Sequence, residues 1–150
     1  MTKRRAKIAM PELRFARVAA TMWSREAYRP LRYARTCYRH LAGELGVHLL
    51  ETMVGRDHLA SGSNGYQVTP AGRAWLESLA IEKPLAEFTA GRCAYPCLDW
   101  SERRDHLAGP LATTLLDHFL AKHWLARTQE SRALKVTPLG QRWLLPLLES

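Results

Sequence analysis

The sequence predicts an α+β, mostly helical fold, in which two tandem repeats of helix, β-hairpin and helix pack on each other and a basic N-terminal helix lies outside. Three observations predict it. Several motifs occur twice in the same order, each copy has an apolar stripe with helical spacing, and each copy then has a short alternating run before a Thr-Pro pair. A chain of 150 residues is long enough to bury a core of this kind.

The duplicated motifs keep their order along the chain. They are HLAG at 40–43 and 106–109, VTP at 68–70 and 136–138, glycine at 72 and 140, and Trp-Leu at 75–76 and 143–144. Because one such unit is too small to hide its own apolar face, we expect the two units to shield each other from water. The predicted organisation is an arm at 1–35, a first repeat at 36–82, an irregular connector at 83–100 and a second repeat at 101–150.

The arm carries the whole excess of positive charge. Residues 1–35 contain ten Lys or Arg and two Glu, whereas the rest of the chain contains twelve residues of each sign. Pro11 can begin a helix here, with arginines along one side. Such an arm can bind nucleic-acid phosphates by releasing counterions, or it can simply support the body or a dimer. The candidate DNA-binding residues are Lys3, Arg4, Arg5, Lys7, Arg14 and Arg17.

The first helix of each repeat is predicted from apolar residues that recur every four positions. These residues are Leu41, Leu45, Leu49 and Met53 in the first copy and Leu107, Leu111, Leu115 and Phe119 in the second. The spacing predicts helices that begin near the HLAG motifs and end at about His58 and His123.

A hairpin and a second helix complete each repeat. The polar turn at 61–65 and the alternating run at 66–69 indicate a short hairpin, and Thr69 and Thr137 are suited to cap the helices that follow, each with proline in the first turn. The helices are expected to end at about residues 79 and 148. Gly72 and Gly140 would let each helix approach its hairpin closely, while the tryptophans at 75 and 143 are expected to close the core and Trp100 to fill the space between the repeats.

Four longer segments carry a resemblance to a known family. RTCYRHLAGELGV, YQVTPAGRAWL, PCLDWSERRDHLAGPL and LKVTPLGQRWL together resemble the C-terminal region of a subgroup of ArsR-family transcriptional regulators, over about Leu31 to Leu148. The resemblance implies that the repeats are winged-helix-like. In that family an N-terminal winged helix-turn-helix domain reads operator DNA, usually as a homodimer, and a small-molecule or metal inducer releases it in some members. The residues before the resemblance are too few for that domain, so we expect a transcriptional regulator or its sensory or dimerising part, in the cytoplasm.

Cysteine and histidine spacing leaves two alternatives open. Cys37 and His40 fit half of a zinc site, and Cys93 with Cys97 could supply another pair, with His106 nearby if the connector folds back. The candidate ligands of zinc or another divalent metal are Cys37, His40, Cys97 and His106. The other alternative is structural. The two histidines recur at corresponding positions, whereas Cys37 aligns with Arg103, which favours a packing role.

A thiol sensor is a further hypothesis. Cys93 and Cys97 lie close together in the predicted connector, where Arg92 could lower a thiol pKa. An odd total of three cysteines favours reduced thiols over a disulfide framework.

Other function classes are disfavoured. The sequence has no phosphate-binding glycine loop, no nucleophile elbow and no HExxH motif, so we expect no enzyme, no catalytic residue and no organic cofactor. Asp99 is interpreted as a helix cap or a base. No apolar run is long enough to cross a membrane. The alternative from another class is a protein-interaction or small-molecule-binding module without direct DNA contact.

Overall fold

The computed structural model describes residues 26–81, 92–129 and 131–149, and the same order of elements occurs twice in it. The first half contains a 3-10 turn (Glu26–Tyr28), α1 (Arg29–Tyr33), β1 (Arg35–Cys37), β2 (His40–Ala42), α2 (Gly43–Gly55), β3 (Leu59–Gly62), β4 (Gly65–Val68) and α3 (Pro70–Ser78). The second half contains β5 (Tyr95–Leu98), β6 (Asp105–Ala108), α4 (Pro110–Ala121), β7 (Leu125–Arg127), β8 (Leu134–Val136), α5 (Pro138–Trp143) and a 3-10 turn (Leu145–Leu148). From β1 and from β5 onward, each half is therefore hairpin, helix, hairpin, helix.

The helices begin near the HLAG motifs as predicted, at Gly43 and Pro110, but the assignment of Leu41 and Leu107 to these helices was wrong. His40–Ala42 and the equivalent HLA segment are strands, each paired antiparallel with the strand before it. The glycine that ends each motif, Gly43 or Gly109, has a positive φ of 81° or 97°, which separates strand from helix and suits a residue without a side chain. Leu41 and Leu107 are buried strand residues that happen to continue the four-residue spacing of the helices.

The two halves contact each other mainly through the long helix of each half, which packs against the leading hairpin of the other half. Helix α2 packs against β6, helix α4 packs against β2, and the two strands also touch each other. Backbone hydrogen bonds also join the two halves. The amide of Tyr66 donates to the carbonyl of Ala94 at 2.8 Å, and the amide of Leu134 donates to the carbonyl of Ala34 at 2.9 Å. The stripes of α2 and α4 belong to one buried cluster, with Leu45 and Phe119 among its members. Whether each half is a winged-helix repeat stays a prediction.

Helices α3 and α5, which follow the second hairpin of each half, begin as the sequence predicts. The hydroxyl oxygens of Thr69 and Thr137 accept hydrogen bonds from the amides of Gly72 and Gly140, and proline occupies the first helical position in both. A Cβ atom on either glycine would lie 2.2 or 2.0 Å from a backbone carbonyl oxygen, so each helix approaches the chain more closely than any side chain permits.

Other predictions of detail need correction. Helix α5 ends at Trp143, which is 51% exposed, and Leu144 fills the core in its place. Trp100 is 42% exposed and so does not fill the space between the halves. The predicted connector at 83–100 contains β5, although residues 82–91 lie outside the described part of the chain.

The close approach at the second helix of each half is testable. We expect Gly72→Ala to destabilise the fold by about 1–3 kcal/mol, because its new methyl group would overlap the carbonyl oxygen of His58, which is backbone and cannot rotate away. Gly55→Ala is the matched control, since its Cβ would meet nothing within 4 Å. Urea unfolding followed by circular dichroism measures both. Equal effects of the two substitutions would contradict this account.

Candidate functional site

The leading hairpin of each half presents a cysteine opposite a histidine. In the first hairpin Cys37 pairs with His40, and in the second hairpin Cys97 pairs with His106. In both cases the cysteine lies on the first strand and the histidine on the second. The hairpins therefore offer the same two donor types at the same register.

This register corrects the sequence alignment, in which Cys37 had no counterpart. Two residues separate Cys37 from His40, whereas eight separate Cys97 from His106, so counting back from the histidine led to Arg103 in the longer turn. Counting forward instead aligns ARTC with AYPC, two segments that share a buried alanine three residues before the cysteine. That shared pattern is the sequence signal that could have revealed the equivalence.

The four side chains converge where the two halves meet. The sulfur of Cys37 and a ring nitrogen of each of His40 and His106 all lie within 4.8 Å of one another. The two imidazole rings are 5.4 Å apart between centroids. The thiol of Cys97 neighbours that of Cys37, and each affects the pKa of the other. Each half thus contributes one cysteine and one histidine to a single cluster, which we call the Cys/His cluster.

A buried carboxylate orients one of the two histidines. Asp99 is fully buried, and its Oδ2 atom accepts hydrogen bonds from Nδ1–H of His106 at 2.9 Å and from the amide of Gly43 at 2.7 Å. Its Oδ1 atom accepts from Nη2 of Arg35 at 2.9 Å. Because Nδ1 of His106 carries the proton toward Asp99, Nε2 is left with its lone pair facing the Cys/His cluster.

The turn after β5 holds this carboxylate in place. The backbone amides of Ser101 and Glu102 donate to Oδ1 of Asp99 at 3.1 and 3.2 Å, as in an Asx turn. Arg35 also donates to the hydroxyl of Ser101 at 2.9 Å and to the carbonyl of Leu31, in α1, at 3.1 Å. Asp99 thus caps a turn rather than the helix that one sequence interpretation proposed, and its long-range partners did not belong to that prediction.

The electrostatics favour an ionised Asp99. Burial alone would raise the pKa of Asp99, yet the hydrogen bond with His106, the charge of Arg35 and the amide of Gly43 together hold that pKa well below its usual range. Burial likewise opposes protonation of His106, but the bond to Asp99 and the neighbouring Cys37 raise the pKa of this imidazole above its ordinary value.

The remaining members of the Cys/His cluster are shifted in different directions. The hydrogen bond with His106 is the main cause that lowers the pKa of Cys37. Burial, followed by the charge of Cys37, raises the pKa of Cys97 to about 11. Burial and the charge of His106 lower the pKa of His40 to about 4, so this ring is neutral at neutral pH. The shifts of His40 and Cys37 favour the neutral imidazole and the thiolate, the forms in which these residues donate to a metal, whereas the raised pKa values of His106 and Cys97 favour protonated forms from which a metal would have to displace the proton.

Two buried ring nitrogens of the Cys/His cluster lack a hydrogen-bond partner of ordinary geometry. They are Nε2 of His106 and Nδ1 of His40, on residues that are 1% and 8% exposed. The thiol of Cys37, a weak partner, neighbours the first of them. Buried polar atoms in proteins normally have a partner, so a ligand at the cluster would satisfy both nitrogens, although buried nitrogens of His58 and His118 outside the cluster also lack a partner.

The thiol-sensor hypothesis does not fit the observed positions. Cys93 is buried in the core, and burial raises the pKa of its thiol. The guanidinium of Arg92 lies over the ring of Tyr95 at 4.1 Å. The neighbour of Cys97 is Cys37 rather than Cys93.

The predicted DNA-binding residues lie outside the described part of the chain, since all six fall within residues 1–25. Among the helices of the described residues, none is long and apolar enough to span a membrane.

The described residues form two similar halves, and the leading β-hairpins of the two halves hold the Cys/His cluster between them. The chain is 35% identical, over 126 residues, to the uncharacterized HTH-type transcriptional regulator YdfF of Bacillus subtilis (strain 168). The similarity covers 84% of this chain and 55% of the relative, so the chain spans about half the length of the curated relative that it matches. No protein-family model matches the sequence, and no solved structure matches it.

The buried ion pair at the site gives a testable prediction. Asp99→Asn should destabilise the fold by about 3–5 kcal/mol, because it leaves the buried guanidinium of Arg35 without a counter-charge. Glu51→Gln is the matched control, since its pair with Arg104 is about half exposed and should contribute under about 1 kcal/mol. Urea unfolding with a chelator present measures both variants without a contribution from bound ions. Similar losses in the two variants would show that the buried pair has no special role.

Proposed function

We propose that the chain works in transcriptional regulation, as the effector-responsive module of an HTH-type regulator, rather than as an enzyme. The observation that carries the proposal is its 35% identity, over 84% of its length, to a protein named as an HTH-type transcriptional regulator. The ArsR-like segments of the sequence support the finer assignment to ArsR-type regulators. By analogy with that family, the module would form a homodimer and would respond to a small-molecule or metal inducer.

The Cys/His cluster is the part of the module where an effector would act. It lies between the two halves, so an occupant would change how tightly the leading hairpins are held together. Asp99 contacts His106 of the cluster and also Arg35, whose guanidinium reaches the carbonyl of Leu31 in α1. This gives a short polar path from the cluster to the helix that follows the basic N-terminal segment. We propose that effector occupancy is communicated along this path.

DNA contact through the basic arm is a separate part of the proposal and rests on sequence charge alone. Ten of the first 35 residues are Lys or Arg. Contacts of this kind bind phosphates without reading bases, so the arm would add affinity and orientation, and operator sequence would be read elsewhere in the regulator.

Salt-dependent DNA binding tests the arm. We expect the affinity for a fluorescently labelled duplex to fall steeply with salt, and replacement of Lys3, Arg4, Arg5, Lys7, Arg14 and Arg17 by Gln to reduce the slope of log K against log salt by up to about 5, since each phosphate contact contributes about 0.9. Fluorescence anisotropy across a salt series measures the slope.

A second variant with the same loss of charge controls for net charge alone. It replaces six exposed basic residues of the body by Gln: Arg39, Arg73, Lys122, Arg127, Lys135 and Arg142. The body variant should keep most of the salt slope. If the native chain does not bind duplex DNA, or if both variants lose the slope equally, the arm is not a DNA contact and the module acts through a protein or small-molecule partner.

A further inference from the structure

We propose that Cys37, His40, Cys97 and His106 bind one tetrahedral metal ion of the Zn²⁺ class, which joins the leading hairpin of the first half to that of the second. The ion would have two sulfur and two nitrogen ligands, with one of each from either half. The proposal stands on the geometry of the Cys/His cluster and is independent of whether the chain binds DNA.

The donor atoms are close to the spacing that a tetrahedral site requires. With Zn–S near 2.3 Å and Zn–N near 2.0–2.1 Å, ligand atoms of a tetrahedral site lie about 3.3–3.8 Å apart. The donors of Cys37, His40 and His106 already lie within 4.8 Å of one another, and the thiol of Cys97 neighbours that of Cys37 without belonging to this group of three. An ion would therefore draw the four donors closer together, with the side chain of Cys97 completing the set.

The unpartnered nitrogens support a ligand independently of this spacing. Nε2 of His106 and Nδ1 of His40 are buried in the cluster without a regular hydrogen-bond partner. A metal ion placed among the four donors would give both atoms the electron-pair acceptor that the protein itself does not provide. Buried ring nitrogens of His58 and His118 also lack a partner, and what distinguishes the cluster is that its histidines lie together beside a thiol.

The surroundings of His106 also match a metal ligand. Metal-binding histidines usually donate their second N–H to a carboxylate or a carbonyl, which fixes the tautomer and makes the other nitrogen a better donor. Here Oδ2 of Asp99 accepts the hydrogen bond from Nδ1–H of His106 at 2.9 Å, and Asp99 itself is held by Arg35 and the amide of Gly43. The sequence of contacts from carboxylate to imidazole to cluster is therefore in place.

The donor set selects the class of ion. Thiolate and imidazole donors suit Zn²⁺ and related ions, whereas Ca²⁺ and Mg²⁺ require oxygen ligands. Four protein ligands would close the coordination sphere, which is typical of a structural or regulatory zinc rather than a catalytic one that keeps a position for water. Two thiolates would balance the charge of the ion within a buried site.

Metal content and cobalt spectroscopy test the proposal on the full chain. Purified in reductant without chelator, the native protein should contain about one zinc per chain by plasma mass spectrometry. After metal removal, titration with Co²⁺ alone should produce the visible bands of tetrahedral cobalt and a thiolate-to-cobalt band in the near ultraviolet. Cys37→Ser and Cys97→Ser should each halve the thiolate band or abolish binding, and zinc should raise the Tm of the native chain more than that of either variant.

Two controls separate ligand loss from general effects. His48→Ala removes an exposed histidine of α2, and Cys93→Ala removes the third thiol, which lies in the core away from Cys97; both variants should keep the metal and the cobalt spectrum. Circular dichroism identifies any variant that fails to fold, and the Co²⁺ titration of the native chain then decides the question.

Three outcomes would overturn the proposal. The first is a folded native chain that contains no zinc and takes up neither Zn²⁺ nor Co²⁺. The second is full metal retention in both Cys37→Ser and Cys97→Ser. The third is a disulfide between Cys37 and Cys97 that persists in reductant. It would be detected as a mass lower by two hydrogens and as a cross-linked peptide, and it would mean that the two thiols are oxidised rather than bound to a metal.

Discussion

The buried charge of Asp99 is the constraint on which the arrangement of the two halves depends. An isolated carboxylate in the interior would be strongly unfavourable, and here it is compensated by Arg35 of β1, by the amide of Gly43 at the start of α2 and by His106 of β6. The first two partners belong to the first half, while the carboxylate and His106 belong to the second. Separating the halves would break the ion pair between Asp99 and Arg35 and the hydrogen bond from the amide of Gly43, so these contacts fix the relative position of the halves more specifically than apolar contact alone could.

The Cys/His cluster is symmetric in its residues and asymmetric in its electrostatics. Each half contributes a Cys–His pair at the same register, but only the second hairpin has the long turn that contains Asp99. His106 is therefore held in one tautomer and its pKa is raised, whereas the pKa of His40 is lowered to about 4 by burial and by the charge of its neighbour. The insertion in one hairpin thus produces, from two equivalent positions, an oriented histidine with a raised pKa and a neutral one with a lowered pKa, so a cation at the site would compete with a proton mainly at His106.

Local rules predicted the parts of the fold that local interactions determine. The threonine caps and the close approach at Gly72 and Gly140 follow from short-range geometry, and they are present as expected. The leading hairpins were missed because a buried leucine within the second strand of each lies four residues before the first leucine of the helix stripe and so continues its spacing. The four cluster residues could be chosen for their donor chemistry, but their convergence could not be derived: the bond from Arg35 to Asp99 joins residues 64 positions apart, and no local pattern encodes that contact.

The connection between the Cys/His cluster and α1 follows from the shared use of a single guanidinium. One nitrogen of Arg35 donates to Asp99, and another donates to both the hydroxyl of Ser101 and the carbonyl of Leu31. A shift of the carboxylate therefore moves the guanidinium and changes its other two hydrogen bonds. A ligand on Nε2 of His106 would strengthen the Nδ1–H donor toward Asp99 and fix the carboxylate more firmly. Such a ligand can change the arrangement at α1 only through a difference in its affinity for the two arrangements that it links. The path is short and runs through buried charges, whose interactions are stronger inside a protein than in water, so a shift of one group affects the next.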